Sequence, residues 1–287
     1  GLLESGLVVS ATCTNCHTAH NPLPPEDPAS SVNAQNIPDT CGKCHNGVEN
    51  EFLKSVHSPL VSKTDLPLPV CSSCHTAHSI LRTDENAFRQ DIINTCGKCH
   101  EDVTATYFDT YHGKVSKLGA DVAARCHDCH GAHDALAVSD PRSHLSHDNI
   151  VQTCSTCHPG ANRRFAGYLT HATHHDPKKY PALFYAFWGM TALLVGTFSV
   201  FGIHTLMWFP RSLAQLRKRK DAAAHSGRRM FRRFDPVVRQ MHFVLILSFF
   251  GLALTGMALK FSYMGWAQSL SRFLGGFYTM GVIHRVC

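Results

Sequence analysis

Twelve of the 13 cysteines in this 287-residue chain fall in pairs spaced C-x-x-C, and every pair is followed at once by histidine. The sites are CTNCH (Cys13, Cys16, His17), CGKCH (Cys41, Cys44, His45), CSSCH (Cys71, Cys74, His75), CGKCH (Cys96, Cys99, His100), CHDCH (Cys126, Cys129, His130) and CSTCH (Cys154, Cys157, His158). Only Cys287 is left over. Two thiols at this spacing can add across the two vinyl groups of one haem, forming thioethers, and the adjacent imidazole then reaches the iron as proximal ligand. One such site could be a chance match or half of a zinc site. Six of them, with every paired cysteine used, point to six covalent haems c rather than to a zinc or disulfide scaffold.

Each haem iron has a sixth position to fill. Residues 1–180 contain eleven histidines beyond the six in the motifs, so supply exceeds demand. An internal repeat selects among them. Each unit reads C-x-x-C-H-x-A-H, then a second C-x-x-C-H, then a lone histidine 12, 12 and 13 residues on. His20, His57, His78, His112, His133 and His171 recur at fixed places in the three units and are the expected distal ligands. His144 and His147 stand where the first unit has Ser31 and Ala34, and His127 is a variable residue inside its own motif; these three read as surface histidines. His174 and His175 either compete with His171 or serve another haem. If every iron has two histidines, none is open to substrate, which favours electron transfer over catalysis. No catalytic residue is assigned.

The elements that must position these residues differ between the two halves of the chain. Residues 1–175 form the expected haem domain, in units 1–57, 58–112 and 113–171. Their loops are rich in Pro, Asn, Asp and Ser, as in NPLPPEDPASS, with no long amphipathic pattern. Short helices and loops packed on haem are expected, because large apolar residues are too few to build a core alone. The connecting segments echo one another: DPASSVNAQNIPDTC at 27–41 and DPRSHLSHDNIVQTC at 140–154. Lone histidine to next motif is 14 residues in both cases, His57 to Cys71 and His112 to Cys126. The same count back from Cys13 falls just before Gly1, so the sequence is expected to start inside a repeat, with the preceding histidine and further haem domains upstream. No signal peptide is visible.

Residues 1–180 carry 14 Lys+Arg against 19 Asp+Glu, a net of 14 − 19 = −5, and residues 181–287 carry 13 against 2, a net of +11. The basic half is also the apolar half, which implies a lipid bilayer rather than nucleic acid. Residues 182–209 hold no formal charge, enough helix to cross the roughly 30 Å hydrocarbon core with length to spare. Pro181 is expected to open this span and Pro210 to close it, with 176–210 as linker plus span. The stretch 211–239 has ten Lys/Arg and two Asp and reads as a cytoplasmic loop, which puts the haem domain on the outer, periplasmic face of a bacterial or archaeal inner membrane. A second span is expected over about 241–259, then a connector with Trp266, then a third apolar segment from near Phe273 that is too short to cross. Ionisable residues inside spans are functional candidates. Here these are His204, His242 and His284.

FRRFDPVVRQMHFVLILSFFGLALTGMALKF at 231–261 resembles the first helix of the dihaem cytochrome b subunits of formate dehydrogenases and hydrogenases, with an Arg–Phe entry, a helix histidine and Leu254–Thr255–Gly256. VIHR at 282–285 resembles their second helix. The resemblance covers about 55 residues and implies that His242 and His284 bind up to two b-type haems, with residues 240–287 as the start of a cytochrome b-like domain. The family's other ligands come from a later helix that this sequence lacks. His204 is an alternative partner for His242. The first 180 residues resemble multihaem cytochromes c, and the fusion resembles inner-membrane cytochrome b/c proteins of anaerobic and metal-reducing respiration. The expected fold class is mostly α and irregular: a haem-packed cytochrome c domain followed by transmembrane helices. The expected function is electron transfer between the quinone pool and a periplasmic cytochrome or oxidoreductase. The alternatives are a multihaem oxidoreductase acting on small nitrogen or sulfur compounds, and an electron relay within a larger respiratory complex. The oxidoreductase would need a five-coordinate haem, often marked by a variant motif, and no variant motif occurs.

Overall fold

The computed structural model describes residues 10–226 and 233–287. Residues 1–9 and residues 227–232 of the basic stretch lie outside them. The described chain is helical, with no strand among the described residues. In order, the helices are α1 (Cys13–His17), α2 (Ile37–Phe52), α3 (Cys71–His75), α4 (Asn86–Gly97), α5 (Glu101–Asp109), α6 (Tyr111–Lys117), α7 (Cys126–His130), α8 (Ile150–Ser155), α9 (Arg163–Ala166), α10 (Pro181–Ser226), α11 (Pro236–Lys260), α12 (Gly265–Phe273) and α13 (Phe277–Val286).

The repeat is visible in how the motifs are built. The first motif of each unit is a five-residue helix of its own, α1, α3 and α7. In each, the second variable residue turns back to accept the backbone N–H of the residue before the first cysteine: Asn15 from Thr12 (2.8 Å), Ser73 from Val70 (3.1 Å) and Asp128 from Arg125 (2.8 Å). This closes one of the N–H groups a helix start leaves unpaired. The chain leaves each of these helices at a positive φ, at Thr18 (66°), Thr76 (62°) and Gly131 (82°). With ψ near 160–180°, this backbone region is open to glycine and strained for threonine, at about 1–3 kcal/mol per residue. Two of three units hold that strain immediately after a motif histidine.

The second motifs are built differently. They lie at or just beyond the C-terminal ends of α4 and α8 and inside α2, which is kinked at His45. The echoing segments 27–41 and 140–154 fold alike. Asn36 Nδ2 donates to the carbonyls of Pro28 and Ser30, and Asn149 Nδ2 to those of Pro141 and Ser143. Thr40 Oγ1 donates to Ser31 O and Thr153 Oγ1 to His144 O, both at 2.7 Å. Identical side chains at identical offsets therefore make identical turns.

Two helices are long and apolar enough to cross a membrane, residues Pro181–Lys218 and Pro236–Lys260. The second is entered through Asp235 in extended backbone and Pro236 at the first helical turn, where a missing N–H costs nothing. The first departs from the expected boundary: Pro210 does not close it, and α10 runs on to Ser226. An interior proline costs about 3 kcal/mol, but the residues after it, RSLAQLRKRKDAAA, are nearly all strong helix formers. Part of the basic stretch is thus helix rather than loop. The connector with Trp266 is likewise a helix, α12.

The two halves meet through α6 and the turn after it. Leu118 is buried with Ala258, Ala267 and Met280 of α11, α12 and α13. Ser271 Oγ, fully buried, donates to Leu118 O at 3.0 Å. The Tyr111 ring meets Phe277 edge-on at 6.3 Å. Gly113 is required within α6, since a Cβ there would lie 2.2 Å from Tyr107 O.

Candidate functional site: paired imidazoles along a line of motifs

Thiols of successive motifs are neighbours. Cys41 lies beside Cys16 and Cys71; Cys74 lies beside Cys96 and Cys99; Cys96 lies beside Cys126; Cys129 lies beside Cys154 and Cys157. The six motifs therefore follow one another in space in their sequence order. No disulfide joins any of the described cysteines.

The motif histidines face other histidines. The ring of His17 lies 6.1 Å from that of His78, His75 lies 6.0 Å from His133, and His130 lies 6.4 Å from His171. His100 lies 6.3 Å from His57, and His158 lies 6.0 Å from His112. Two imidazoles on opposite sides of one metal ion, with metal–nitrogen bonds of about 2.0–2.1 Å, would have ring centres roughly 6.4 Å apart. All five pairs sit near that separation. Burial pushes the pKa of His57, His75, His112, His130 and His171 down, and in the first four a facing histidine adds to it. Such rings are neutral at neutral pH, the state a metal ligand needs.

Five of the six recurring histidines are thereby brought to a motif histidine. His20 and His45 have no ring partner of this kind among the described residues. The three histidines read as surface residues sit against carboxylates: His144 Nε2 is 2.7 Å from Asp134 Oδ2, His147 Nδ1 is 3.1 Å from Asp148, and His127 Nε2 is 3.5 Å from Asp128. His174 and His175 gather with Asp109, all three ligand atoms within 4.8 Å of one another. Thr173 donates to the same carboxylate at 2.9 Å. This trio could hold a divalent cation, but Lys114 and Lys260 stand close to His174 and oppose one.

No family, curated protein or solved structure matches the chain.

One residue that the repeat does not single out bears on the fit of a cofactor. Arg125, immediately before the first cysteine of the fifth motif, is 1% exposed. Its Nη1 donates to Asp121 O at 3.2 Å, while Nε and Nη2 are buried without a partner. A buried guanidinium with idle N–H groups is costly unless an anion meets it. The two carboxylates of a haem are anions of that kind, and guanidinium is well shaped to bind them. The equivalent residues in the other units are Thr12 and Val70, so no periodicity could have flagged it. Together with the spaced imidazole pairs, Arg125 makes the domain a fitting container for haem.

In the apolar half, His284 on α13 lies against α11. Its Nδ1 is 2.7 Å from Thr255 Oγ1. Thr255 Oγ1 also contacts Gly251 O at 2.6 Å. A Cβ at Gly251 would meet Cys287, so α13 runs antiparallel to α11. His242 is exposed on α11, 13 residues before Thr255, about 20 Å away along the helix. The structure therefore does not bring His242 and His284 together. His204 is exposed on α10.

Proposed function

We propose that the chain is a membrane-anchored electron carrier with six covalent haems c in residues 1–175 and b-type haem at His284 and His242. The observation that carries this is the set of five imidazole pairs, each joining a motif histidine to one outside any motif at the separation one iron would set. Cys13, Cys16, Cys41, Cys44, Cys71, Cys74, Cys96, Cys99, Cys126, Cys129, Cys154 and Cys157 would attach the haems, and Arg125 would hold a carboxylate of one of them. Haem supplies the one-electron chemistry. The chain's residues would give five of the six irons two ligands each, keep substrates off those five and line the motifs up in sequence order. That arrangement favours conduction over catalysis.

The line ends at the membrane. His112, which faces His158, is on α6, the helix that packs on α11. The sixth haem would thus stand nearest the b-type site at His284, and electrons exchanged with a quinone in the bilayer would enter or leave the line there. The other end would meet a periplasmic redox partner.

The deciding experiment is the mass of the denatured chain. It should exceed the polypeptide by six haems, and the haem colour should survive extraction with acidified organic solvent. A smaller increment would mean that a motif is unused, and no increment would end the proposal.

Orientation follows from charge. The basic stretch 211–239 belongs in the cytoplasm and the haem domain outside. Protease added to intact spheroplasts should digest residues 1–175 and spare the basic stretch. The reverse pattern would overturn the electron path.

A further inference from the structure

The five pairs obey a rule of register. The C-x-x-C-H-x-A-H histidine of one unit faces the first motif of the unit before it: His78 faces His17, and His133 faces His75. The lone histidine of one unit faces the second motif of the unit after it: His57 faces His100, and His112 faces His158. Each neighbouring pair of units is therefore laced by two exchanges, one in each direction. At the membrane end the rule changes. His171, the lone histidine of the third unit, faces the first motif of its own unit, His130. That substitution closes the ladder, because His130 then needs nothing from a further unit.

The opposite end is not closed. By the rule, His20 belongs to the first motif of a unit laced to the first one, and His45 needs that unit's lone histidine. The two unmatched residues are thus complementary halves of one missing exchange. They do not serve each other by analogy with their equivalents, since His78 and His100 each face other rings, as do His133 and His158. Nor do other histidines stand idle nearby: His127, His144 and His147 are held by carboxylates, and His174 and His175 lie with Asp109 beside Phe187 of α10.

Resting on the haem reading above, we infer that the first unit carries a reciprocal docking joint for a further dihaem unit of the same repeat pattern. The incoming unit gives an imidazole to the iron at His45, and His20 gives its imidazole to an iron of the incoming unit. Recognition is by two coordinate bonds made in opposite directions. Only a partner with both a free histidine and an open haem face can make both. A second copy of this chain could offer only His20 itself, out of the ladder's register, because its own His57, His112 and His171 are already paired. The joint would extend the line of haems away from the membrane.

The test uses residues 1–287 carrying only the covalently attached haems, and reads spin state rather than activity. One haem of six should be high-spin in the isolated chain. Imidazole, standing in for the missing side chain, should convert it to low-spin in a single binding event. Cys41→Ala/Cys44→Ala should remove one haem and the high-spin signal with it. His20→Ala should leave the spin count unchanged. Six low-spin haems in the unmodified chain, or a new high-spin haem in His20→Ala, would overturn the inference, because His20 would then already serve an iron here or in a second copy. The mass measurement separates the two levels of argument: fewer than six haems defeats the haem reading, whereas six haems all low-spin defeats only the joint.

Discussion

Replacing His78 by alanine should turn the haem at His17 high-spin and leave the haem at His75 low-spin, although His75 is three residues away and His17 is in another unit. The geometry leaves little room for the local alternative. A histidine three residues after the proximal one cannot pass around the porphyrin to the opposite face of the same iron. The His78 ring instead stacks across from His17, with planes 12° apart at 6.1 Å. The loss should be one low-spin haem of the six, with haem content unchanged because the thioethers remain. Removing the first haem through Cys13→Ala/Cys16→Ala should abolish the effect of His78→Ala, since the two changes then act on the same iron and are not additive. A His78→Ala effect that survives in that background would show that His78 serves a different haem. His57→Ala should behave in the same way toward the haem at His100.

This crossing of ligands between units also accounts for how a chain with so little side-chain core holds together. Few large apolar residues are buried in residues 10–175, among them Ile93, Tyr107, Val115 and Leu118. Units that exchange ligands would be tied at two points each, so on the proposed reading haem irons would take the part that an apolar core plays elsewhere. The strain at Thr18 and Thr76 fits this view, because a backbone held at a positive φ persists where the surroundings fix it from several sides.

The helical class and the second apolar helix were legible because each rests on local residue types, above all a run of apolar residues. The span expected at 241–259 is α11, lengthened by the Asp235–Pro236 entry. What a sequence repeat does not reveal is register between units. Recurrence marks His78 and His133 as equivalent, but says nothing of which motif histidine each faces, and it marks His171 as equivalent to His57 although the two face different kinds of motif. Arg125 was hidden for the opposite reason: it departs from the repeat, and only its burial makes it stand out. Pro210 misled because proline is a strong local breaker, while the helix through it is sustained by the residues on either side over a longer range.

The second large effect is expected at Thr255. Its hydroxyl has one proton, and the 2.6 Å contact to Gly251 O uses it. The oxygen is then the acceptor for His284 Nδ1–H at 2.7 Å, which fixes the tautomer and leaves Nε2 as the nitrogen with a free lone pair. Thr255 is 4% exposed, so water does not compete for that bond, while the rest of the His284 side chain is open. A hydrogen bond of this kind orients a metal-binding imidazole and raises its basicity, and losing it typically costs about 10–100-fold in metal affinity. Thr255→Val keeps the shape and removes the oxygen. On titration of the whole chain with haem, it should weaken non-covalent haem binding by about that factor. Thr255→Ser should restore most of the affinity, and His284→Ala should abolish binding at this site. The covalent haems, which remain on the chain after extraction, provide the internal standard. Equal haem affinity in wild type and Thr255→Val, with Thr255→Ser also unchanged, would show that His284 is not held for a metal. Its bond to Thr255 would then serve only to pin α13 against α11.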